Sequence, residues 1–332
     1  MTTPEDRSRV ESSPEERSEE LRTAESELAP MGATGFRSGF ATLVGRPNVG
    51  KSTLMNRIVG AKVSIVSDRP QTTRNEIRGV HTTDQSQIVF LDTPGIHRPR
   101  TLLGERTNSR ALGTLGEVDV VCLLVEANAP IAAGDRYIAE LVTAVSTPKI
   151  LVINKVDLAS GDQVLEHLIV AAAELGDFDA YVPLSGKTGE GIDALLGEIG
   201  SRLPEGPVYY PDGMISDQPE TFLAAELVRE KLLAVTRDEL PHSITVSVEE
   251  LEPVEGENPP DDLIRLRATI RVERDSQKGI VIGKGGSVLK TAATAARIEL
   301  EQLLGLRVWL ETRVKVDADW QRRPGSLDRL GY

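Results

Sequence analysis

The chain has 332 residues, of which 39% are hydrophobic, and its formal net charge is −13. No apolar run approaches the roughly 18 residues of a membrane-spanning helix, and the acidic N-terminus lacks the basic and apolar regions of a signal peptide. A single cysteine, Cys122, excludes a disulfide or a cysteine-based metal site within the chain. We therefore expect a cytoplasmic protein of two to three domains.

The composition divides the chain into four segments. Residues 1–34 hold nine acidic and four basic residues with almost no large apolar ones, which predicts a disordered acidic extension. Residues 35–203 alternate apolar runs with amphipathic stretches, which is typical of a doubly wound α/β sheet. Its predicted strands lie near Phe40, Ile77, Ile88, Val118, Lys149 and Tyr181. Residues 204–219, with Pro, Gly and Tyr-Tyr, predict a linker, and residues 220–332 predict a smaller α+β domain.

The first predicted strand leads directly into a phosphate-binding sequence. The motif G-x-x-x-x-G-K-S and the residue after it are Gly45, Arg46, Pro47, Asn48, Val49, Gly50, Lys51, Ser52 and Thr53. A glycine-rich turn between a strand and a helix surrounds a phosphate chain with backbone N–H groups, and the helix directs its positive end at it. Lys51 can reach the β- and γ-phosphates, and the Ser52 hydroxyl can bind Mg²⁺.

A polar loop follows the phosphate-binding helix and reads Gln71-Thr72-Thr73-Arg74. One of its threonines is expected to supply a second Mg²⁺ ligand in the GTP state. Thr73 is favoured, with Thr72 as the alternative. Arg74 is interpreted as a solvated loop charge rather than as a catalytic arginine.

The apolar strand Ile88 to Leu91 ends in a second candidate sensor of the γ-phosphate. The sequence there is Asp92, Thr93, Pro94 and Gly95. Asp92 would hold Mg²⁺ through a water, and the Gly95 N–H can donate to the γ-phosphate. The next residue is Ile96, which can neither position nor activate water, so we expect slow intrinsic turnover, near ~10⁻⁴ s⁻¹.

The base-reading residues follow two later strands. Asn154, Lys155 and Asp157 form N-K-x-D after the strand that starts at Lys149. The Asp157 carboxylate can accept hydrogen bonds from N1–H and N2–H₂ of guanine, which adenine cannot match, giving roughly 10⁴-fold discrimination or more. The loop after the last strand, expected to offer a backbone N–H to guanine O6, is Ser185, Gly186 and Lys187. The sequence therefore predicts a GTP and GDP site in which Asn154 braces the neighbouring loops.

The second domain carries a motif for single-stranded nucleic acid. The residues are Ile282, Gly283, Lys284, Gly285, Gly286 and Leu289, in which the central G-x-x-G joins two predicted helices. Such a turn lets a nucleic-acid backbone approach closely beside an apolar groove for bases. From Asp262 to the end, fourteen Lys and Arg face nine Asp and Glu, so this segment is basic in an acidic chain. Trp309 lies in a strand pattern and is interpreted as a core residue.

Taken together, these motifs resemble the bacterial Era family of GTPases. The likeness covers about residues 36 to 332 and extends to Phe222-Leu223-Ala224-Ala225-Glu226 and the closing Leu330-Gly331-Tyr332. It implies a type II KH domain that binds the 3′ end of 16S rRNA, with GTP favouring the RNA-bound state during 30S assembly. The guanine loop departs slightly, since Gly186 stands where alanine is commoner. The extension 1–34 has no counterpart that we can assign.

Two other functions stay open on the sequence. The second domain could bind a protein, which would make the chain a signalling switch, or the nucleotide could be merely structural in an RNA chaperone. The intact set of Lys51, Ser52 and Asp92 argues against the second alternative. Peripheral contact with the inner face of the cell membrane is a weaker option, through the basic C-terminal segment. A monomer is expected.

Overall fold

The structure is a computed structural model that describes residues 35–67, 74–93, 101–236, 240–253 and 262–332. The acidic extension and the candidate residues Thr72, Thr73, Pro94, Gly95 and Ile96 lie outside these described residues. Within the described part, a six-stranded sheet is followed along the chain by a three-stranded sheet.

The first sheet is flanked by helices on both faces. Its strands are β1 (Arg37–Gly45), β2 (Ile77–Thr82), β3 (Ser86–Asp92), β4 (Val120–Glu126), β5 (Lys149–Asn154) and β6 (Ala180–Pro183). Its helices are α1 (Lys51–Val59), α2 (Leu102–Thr114), α3 (Ala133–Thr143), α4 (Gly161–Leu175) and α5 (Ile192–Arg202). The strand order is β2-β3-β1-β4-β5-β6, and every pairing is parallel except that of β2 with β3. The predicted doubly wound sheet is confirmed.

Strand β4 shows why the sheet is covered on both faces. Val121 and Leu123 belong to a core cluster with residues of α2, α3 and α4, whereas Cys122 and Leu124 belong to a second cluster with residues of α1 and α5. Alternate side chains of a strand point to opposite faces, so a continuously apolar strand needs helices on both. Burial raises the pKa of the Cys122 thiol to about 12, which keeps it a neutral, unreactive core residue.

Segment 204–219, which the structure describes throughout, contains no helix or strand, but it packs along the outer edge of the sheet. The β2 residue Val80 donates its N–H to the carbonyl of Ile215 at 2.9 Å, and the Ser216 hydroxyl donates to the Arg78 carbonyl at 2.7 Å. Gln87 of β3 donates to the Tyr210 carbonyl at 2.9 Å. The segment thus covers the exposed backbone of edge strand β2.

The second half forms an α+β unit. Its elements are α6 (Glu220–Val235), α7 (Leu240–Ser243), β7 (Thr245–Pro253), β8 (Leu263–Val272), α8 (Asp275–Ile282), α9 (Ser287–Leu304), β9 (Arg307–Val316) and α10 (Pro324–Arg329). The sheet order is β7-β8-β9, with β7 antiparallel and β9 parallel to β8. Ile264, Leu266, Ala268 and Ile270 of β8 are buried in one cluster with residues of α6 and α9. The predicted α+β character of this half and its turn between two helices are confirmed, whereas the sequence did not indicate the short helices α7 and α10.

The two tryptophans occupy opposite environments. Trp309, interpreted from the sequence as core, is 47% exposed, so that interpretation was wrong. Val308 and Val314 of β9 are buried on the helix side, so Trp309, one position out of phase, lies on the other face. Trp320 is fully buried.

The C-terminal residues join the two halves of the chain. Trp320 donates its Nε1–H to the Ser243 carbonyl at 2.9 Å and stacks on Tyr332 with ring centroids 5.7 Å apart. Both rings share an apolar cluster with Leu103 of α2, and Arg106 of α2 donates to the Tyr332 carbonyl at 3.0 Å. None of the helices within the described ranges is both long and apolar enough to cross a membrane.

Candidate functional site

The register of the first sheet brings the predicted loops to one edge. In β1 and β3, Leu43 lies beside Asp92, and in β4 and β5, Glu126 lies beside Asn154. Strand β6 adjoins β5 and ends in the same direction at Pro183. The carboxyl ends of these parallel strands therefore place the phosphate-binding turn, Asp92, Asn154 and the Ser185 loop side by side, which is where ligands bind in open α/β sheets.

The phosphate-binding turn adopts a backbone that requires glycine at two positions. Gly50 has a φ of 99°, and a Cβ there would lie 2.3 Å from Nδ2 of Asn154. A Cβ on Gly45 would lie 2.7 Å from the carbonyl oxygen of Leu124. Asn48 is also left-handed, with a φ of 67°, and Val49 is fully buried. The turn therefore passes closely between neighbouring strands and ends at the N-terminus of α1, a favourable place for phosphate.

Lys51 starts α1 with its ammonium group folded onto the turn. The Nζ donates to the carbonyls of Gly45 and Arg46, both at 3.0 Å, and the residue is 7% exposed. Burial lowers the pKa of Lys51 to about 8, although the Asp92 carboxylate partly opposes this shift. An anion bound at the turn would favour the charged form of this lysine.

Two serine hydroxyls meet the Asp92 carboxylate next to Lys51. The Ser52 hydroxyl donates to Asp92 Oδ2 at 2.7 Å, and the Ser64 hydroxyl donates to the same atom at 2.9 Å. Asp92 is fully buried. Mg²⁺ prefers oxygen ligands and usually takes one or two from the protein, with the rest from phosphates and water. The Ser52 hydroxyl and the Asp92 carboxylate therefore fit this ion. The Thr93 hydroxyl donates to the Leu43 carbonyl at 3.2 Å, which fixes the end of β3 against β1.

Asn154 connects the phosphate-binding turn to the base-reading loops. Its Nδ2 donates to the Val49 carbonyl at 2.8 Å, and its Oδ1 accepts from the Gly186 N–H at 2.9 Å. The same oxygen accepts from the Lys155 N–H at 2.8 Å. This is the bracing that the sequence predicted. Because the Gly186 N–H already donates to Asn154, this amide does not face a ligand.

Asp157 lies exposed in a short helical turn, Val156–Leu158, after β5. The Ser185 hydroxyl donates to Asp157 Oδ1 at 2.6 Å, which orients the carboxylate. Lys155 has a φ of 67° and pairs through its ammonium with Glu126, so its stem is held across the loop. The carboxylate is therefore positioned to accept further hydrogen bonds from a ligand.

Two residues that sequence reasoning missed support this site. Asp135, 1% exposed at the start of α3, pairs with the Arg46 guanidinium at 2.7 Å. This places the Arg46 side chain on α3 and fastens the turn to that helix. Ser64, described above, is the second. Asp135 accepts the Ala132 N–H at 2.9 Å, which fixes the start of α3, but Ala-Ala-Gly-Asp is not the Ser/Thr-x-x-Glu pattern that marks a helix start in a sequence.

The second half of the chain contacts both ends of the segment that contains Thr72 and Thr73. Before it, Lys62 pairs with Glu230 of α6 at 2.8 Å and with Glu299 of α9. After it, Arg74 donates to the Ile244 carbonyl at 2.8 Å and lies 5.5 Å from the Trp320 ring centroid.

Arg74 is 4% exposed, so its interpretation as a solvated charge was wrong. Burial lowers the pKa of its guanidinium, an effect that Tyr332 partly opposes. The ring beneath the guanidinium and the acceptor carbonyl of Ile244 compensate for that burial.

The G-x-x-G sequence forms a tight turn between α8 and α9. Gly283, Gly285 and Gly286 have φ values of 74°, 60° and 79°, and a Cβ on Gly283 would lie 2.5 Å from a methyl group of Val288. Lys284 is exposed at the tip. The flanking Ile282 and Leu289 are partly buried and pack against the core of this half. The turn thus exposes its backbone and the Lys284 cation beside apolar side chains, as the motif predicted.

Comparison with known proteins finds relatives for both halves of the chain. Residues 40–155 match a family model described as a 50S ribosome-binding GTPase, and residues 239–321 match a KH domain model. The chain is 50% identical over 299 residues to the GTPase Era of Mycobacterium sp. (strain JLS), covering 90% of this chain and 99% of that protein. It is 49% identical over 302 residues to the GTPase Era of Mycobacterium tuberculosis (strain ATCC 25177 / H37Ra), covering 90% and 100%.

Two solved structures share the whole architecture. One is a single-residue variant of Aquifex aeolicus Era bound to GDP and AlF4⁻, and the other is Era in complex with MgGDPNP and nucleotides 1506–1542 of 16S ribosomal RNA. Each has a TM-score of 0.85 and 39% identity, and the match covers 90% of this chain and 99% of the solved one. The chain thus combines a P-loop GTPase fold with a KH domain, and it is similar in sequence to Era proteins over nearly their full length. It belongs to the Era family of GTPases.

Proposed function

We propose that this Era-family GTPase binds the 3′ end of 16S rRNA through residues 220–332 and acts in small (30S) ribosomal subunit assembly and rRNA maturation. The observation that carries the proposal is the exposed Gly283–Gly286 turn, with Lys284 at its tip between the partly buried Ile282 and Leu289. A turn of this kind admits an RNA backbone and offers an apolar groove to its bases. A relative solved in complex with nucleotides 1506–1542 of 16S rRNA supports the choice of RNA.

Residues at the first sheet's carboxyl edge would hold the nucleotide and its metal. The turn from Gly45 to Thr53 would surround the phosphates, with Lys51 on the β- and γ-phosphates. Ser52 and, through water, Asp92 would hold Mg²⁺, which when bound neutralises charge on the phosphates. Thr73, or Thr72 in its place, would complete the metal ligands, and the Gly95 amide would donate to the γ-phosphate.

Guanine would be read by Asp157 with a backbone amide opposite. The Ser185 hydroxyl orients the Asp157 carboxylate, leaving its other oxygen for the N1–H and N2–H₂ edge of the base. Because the Gly186 N–H is bonded to Asn154, we assign the O6 contact to the amide of Lys187. Turnover would be slow without a partner, because Ile96 cannot orient water.

The nucleotide state would reach the RNA site through the segment that contains Thr73. The KH half contacts residues on both sides of that segment, at Lys62 through Glu230 and at Arg74 through Trp320. GTP-dependent ordering of the segment would then shift the position of the KH half. Reciprocity of binding means that RNA would favour GTP to the same extent.

The remaining organisation is also part of the proposal. We assign residues 35–203 to the G domain, 204–219 to the linker and 220–332 to the KH domain, with 1–34 as an acidic extension. The protein would act as a cytoplasmic monomer on the 30S subunit. Peripheral contact with the inner face of the cell membrane would be secondary, through the basic C-terminal segment.

Replacing Asp157 with Asn tests the base assignment. The amide loses one acceptor for guanine but can donate to the C2 carbonyl of xanthine. We expect GTP affinity to fall by roughly 10- to 150-fold, the effect of losing a charged hydrogen bond, while affinity for xanthosine triphosphate rises. Fluorescence competition binding measures both. The control Asp162→Asn, an exposed carboxylate at the start of α4, should change neither, and unchanged GTP selectivity in Asp157→Asn would refute the assignment.

The lowered pKa of Lys51 predicts proton uptake on GDP binding. With a pKa of about 8 in the free site, Lys51 is largely neutral above that pH, and bound phosphates return its pKa towards the ordinary value of 10.5. The bound state then carries one more proton between these values, so affinity falls as the pH rises above about 8. Calorimetry in buffers of different ionisation enthalpy should show greater uptake at about pH 8.5 than at about pH 7. Equal uptake at both pH values would contradict the role of Lys51.

Direct RNA binding tests the proposed client. Wild-type protein should bind an RNA copying the 3′ end of 16S rRNA more tightly with a non-hydrolysable GTP analogue than with GDP. Changing Lys284 and Gly285 together to Asp places negative charge at the turn, and affinity should fall to the non-specific level, about 10³-fold or more weaker. The control pair Arg136→Asp and Ala173→Asp makes the same charge change on exposed helices of the G domain.

The outcomes of that experiment separate the functions. Loss of RNA binding in the turn variant but not in the control pair supports an RNA-binding KH domain. Absence of RNA binding by wild-type protein in either nucleotide state would retain the GTPase and favour the alternative of a protein-binding signalling switch.

Replacing Lys62 with Ala tests the coupling. It removes the ion pairs to Glu230 and Glu299 while leaving the nucleotide-binding residues intact. Coupling of this kind typically amounts to about 5- to 150-fold, and we expect the GTP-to-GDP ratio of RNA affinities to shrink by at least about threefold. The control Arg136→Ala breaks an exposed pair with Glu174 inside the G domain and should leave the ratio unchanged. A wild-type ratio in Lys62→Ala would exclude this connection.

A further inference from the structure

The outer face of the KH sheet carries a half-exposed tryptophan with an arginine against it. Trp309 is 47% exposed, and the guanidinium of Arg265 lies 4.6 Å from its ring centroid. The two residues are direct neighbours in the parallel pairing of β8 and β9. An exposed aromatic ring beside an arginine is the arrangement on which single-stranded bases stack.

We infer that Trp309 and Arg265 form a base-stacking site that extends the RNA path beyond the G-x-x-G turn, so that one single strand contacts the domain at two places. This inference rests on the proposed RNA binding and adds a contact outside the apolar groove. It assigns a function to a face of the sheet that the core does not use.

The charge along β9 favours RNA as the occupant. Arg313 and Lys315 lie on the same side of β9 as Trp309, at alternate positions, and both are exposed. Glu311, between them and Trp309, is engaged with Arg265 and Arg267 at 3.8 and 3.4 Å. The strand at this edge of the sheet therefore offers cations to a phosphate backbone and a ring to its bases.

The position of β9 relative to the turn sets the length of RNA required. Helix α9 begins beside Gly286 and ends at Leu304, shortly before β9 starts, so it spans about 27 Å between the turn and the Trp309 end of the sheet. Both α8 and α9 pack against β9. A G-x-x-G turn clamps about four nucleotides, so a strand that reaches Trp309 must be longer than that.

The test compares two RNA lengths with the GTP analogue bound. One RNA is a tetranucleotide and the other is a decanucleotide, both copied from the 3′ end of 16S rRNA. Trp309→Ala should weaken decanucleotide binding by about 5- to 150-fold, the range for losing one stacked base, and change tetranucleotide binding less than about twofold. Trp309→Phe keeps a stacking ring and should retain decanucleotide affinity within about threefold. Tyr137→Ala, another exposed aromatic residue, is the matched control and should change neither.

Tryptophan fluorescence supplies a readout that a structural role would not change. The chain has two tryptophans, and Trp320 is fully buried. The decanucleotide should therefore quench the wild-type emission, and the quenching should be lost in Trp309→Phe although binding is retained.

Each outcome decides one point. Equal weakening of both RNAs by Trp309→Ala would show a structural role and overturn the inference, as would undiminished decanucleotide binding. If wild-type protein bound the tetranucleotide but Trp309→Ala had no effect on the longer RNA, the proposed function would stand and this inference would fall. If wild-type protein bound neither RNA, both would fall.

Discussion

Parallel pairing of β1 with β3 and β4, continued through β5 and β6, is the constraint on which the nucleotide site depends. Because these strands run in one direction, the loops at their carboxyl ends meet, although Gly50 and Asn154 are more than a hundred residues apart in the chain. The contact is close enough that Gly50 cannot carry a side chain without displacing the Asn154 amide. The same amide group donates to the Val49 carbonyl and accepts from the Gly186 N–H, so one side chain fixes the spacing between the Gly45–Ser52 turn and the Ser185 loop.

The junction between the two halves uses a different kind of interaction. Trp320 is buried between Tyr332, Arg74 and Leu103, so residues from the end of the chain contact the first half at Arg74 and Leu103. A buried guanidinium needs compensation for lost hydration, which the ring of Trp320 and the carbonyl of Ile244 provide. A movement of Arg74 would disturb that compensation, so Arg74 ties the first half of the chain to Trp320 and Ile244 in the second.

Charge is distributed unevenly between the parts of the chain. The whole chain carries −13, whereas residues from Asp262 onward carry a surplus of basic residues. Several of these are exposed on the G-x-x-G turn and on β9, including Lys284, Arg313 and Lys315. An acidic protein can thus present a cationic face to RNA while the rest of its surface repels nucleic acid, which favours one docking orientation.

Features whose chemistry is local could be predicted from the amino-acid sequence alone. The turn from Gly45 to Ser52, the Asp92 strand end, Asn154 to Asp157 and the Gly283–Gly286 turn each lie in a few consecutive residues, and their position after a strand or between helices follows from hydrophobic patterning. The environments of Arg74, Trp309 and Trp320, by contrast, depend on how distant helices and strands pack together. The alternation of side chains along β9 places Trp309 and Val308 on opposite faces of the sheet. Which of the two faces is covered depends on where α8 and α9 pack. Arg74 is buried by residues about 170 or more positions later in the chain, at Ile244 and Trp320, and no local pattern encodes such a contact.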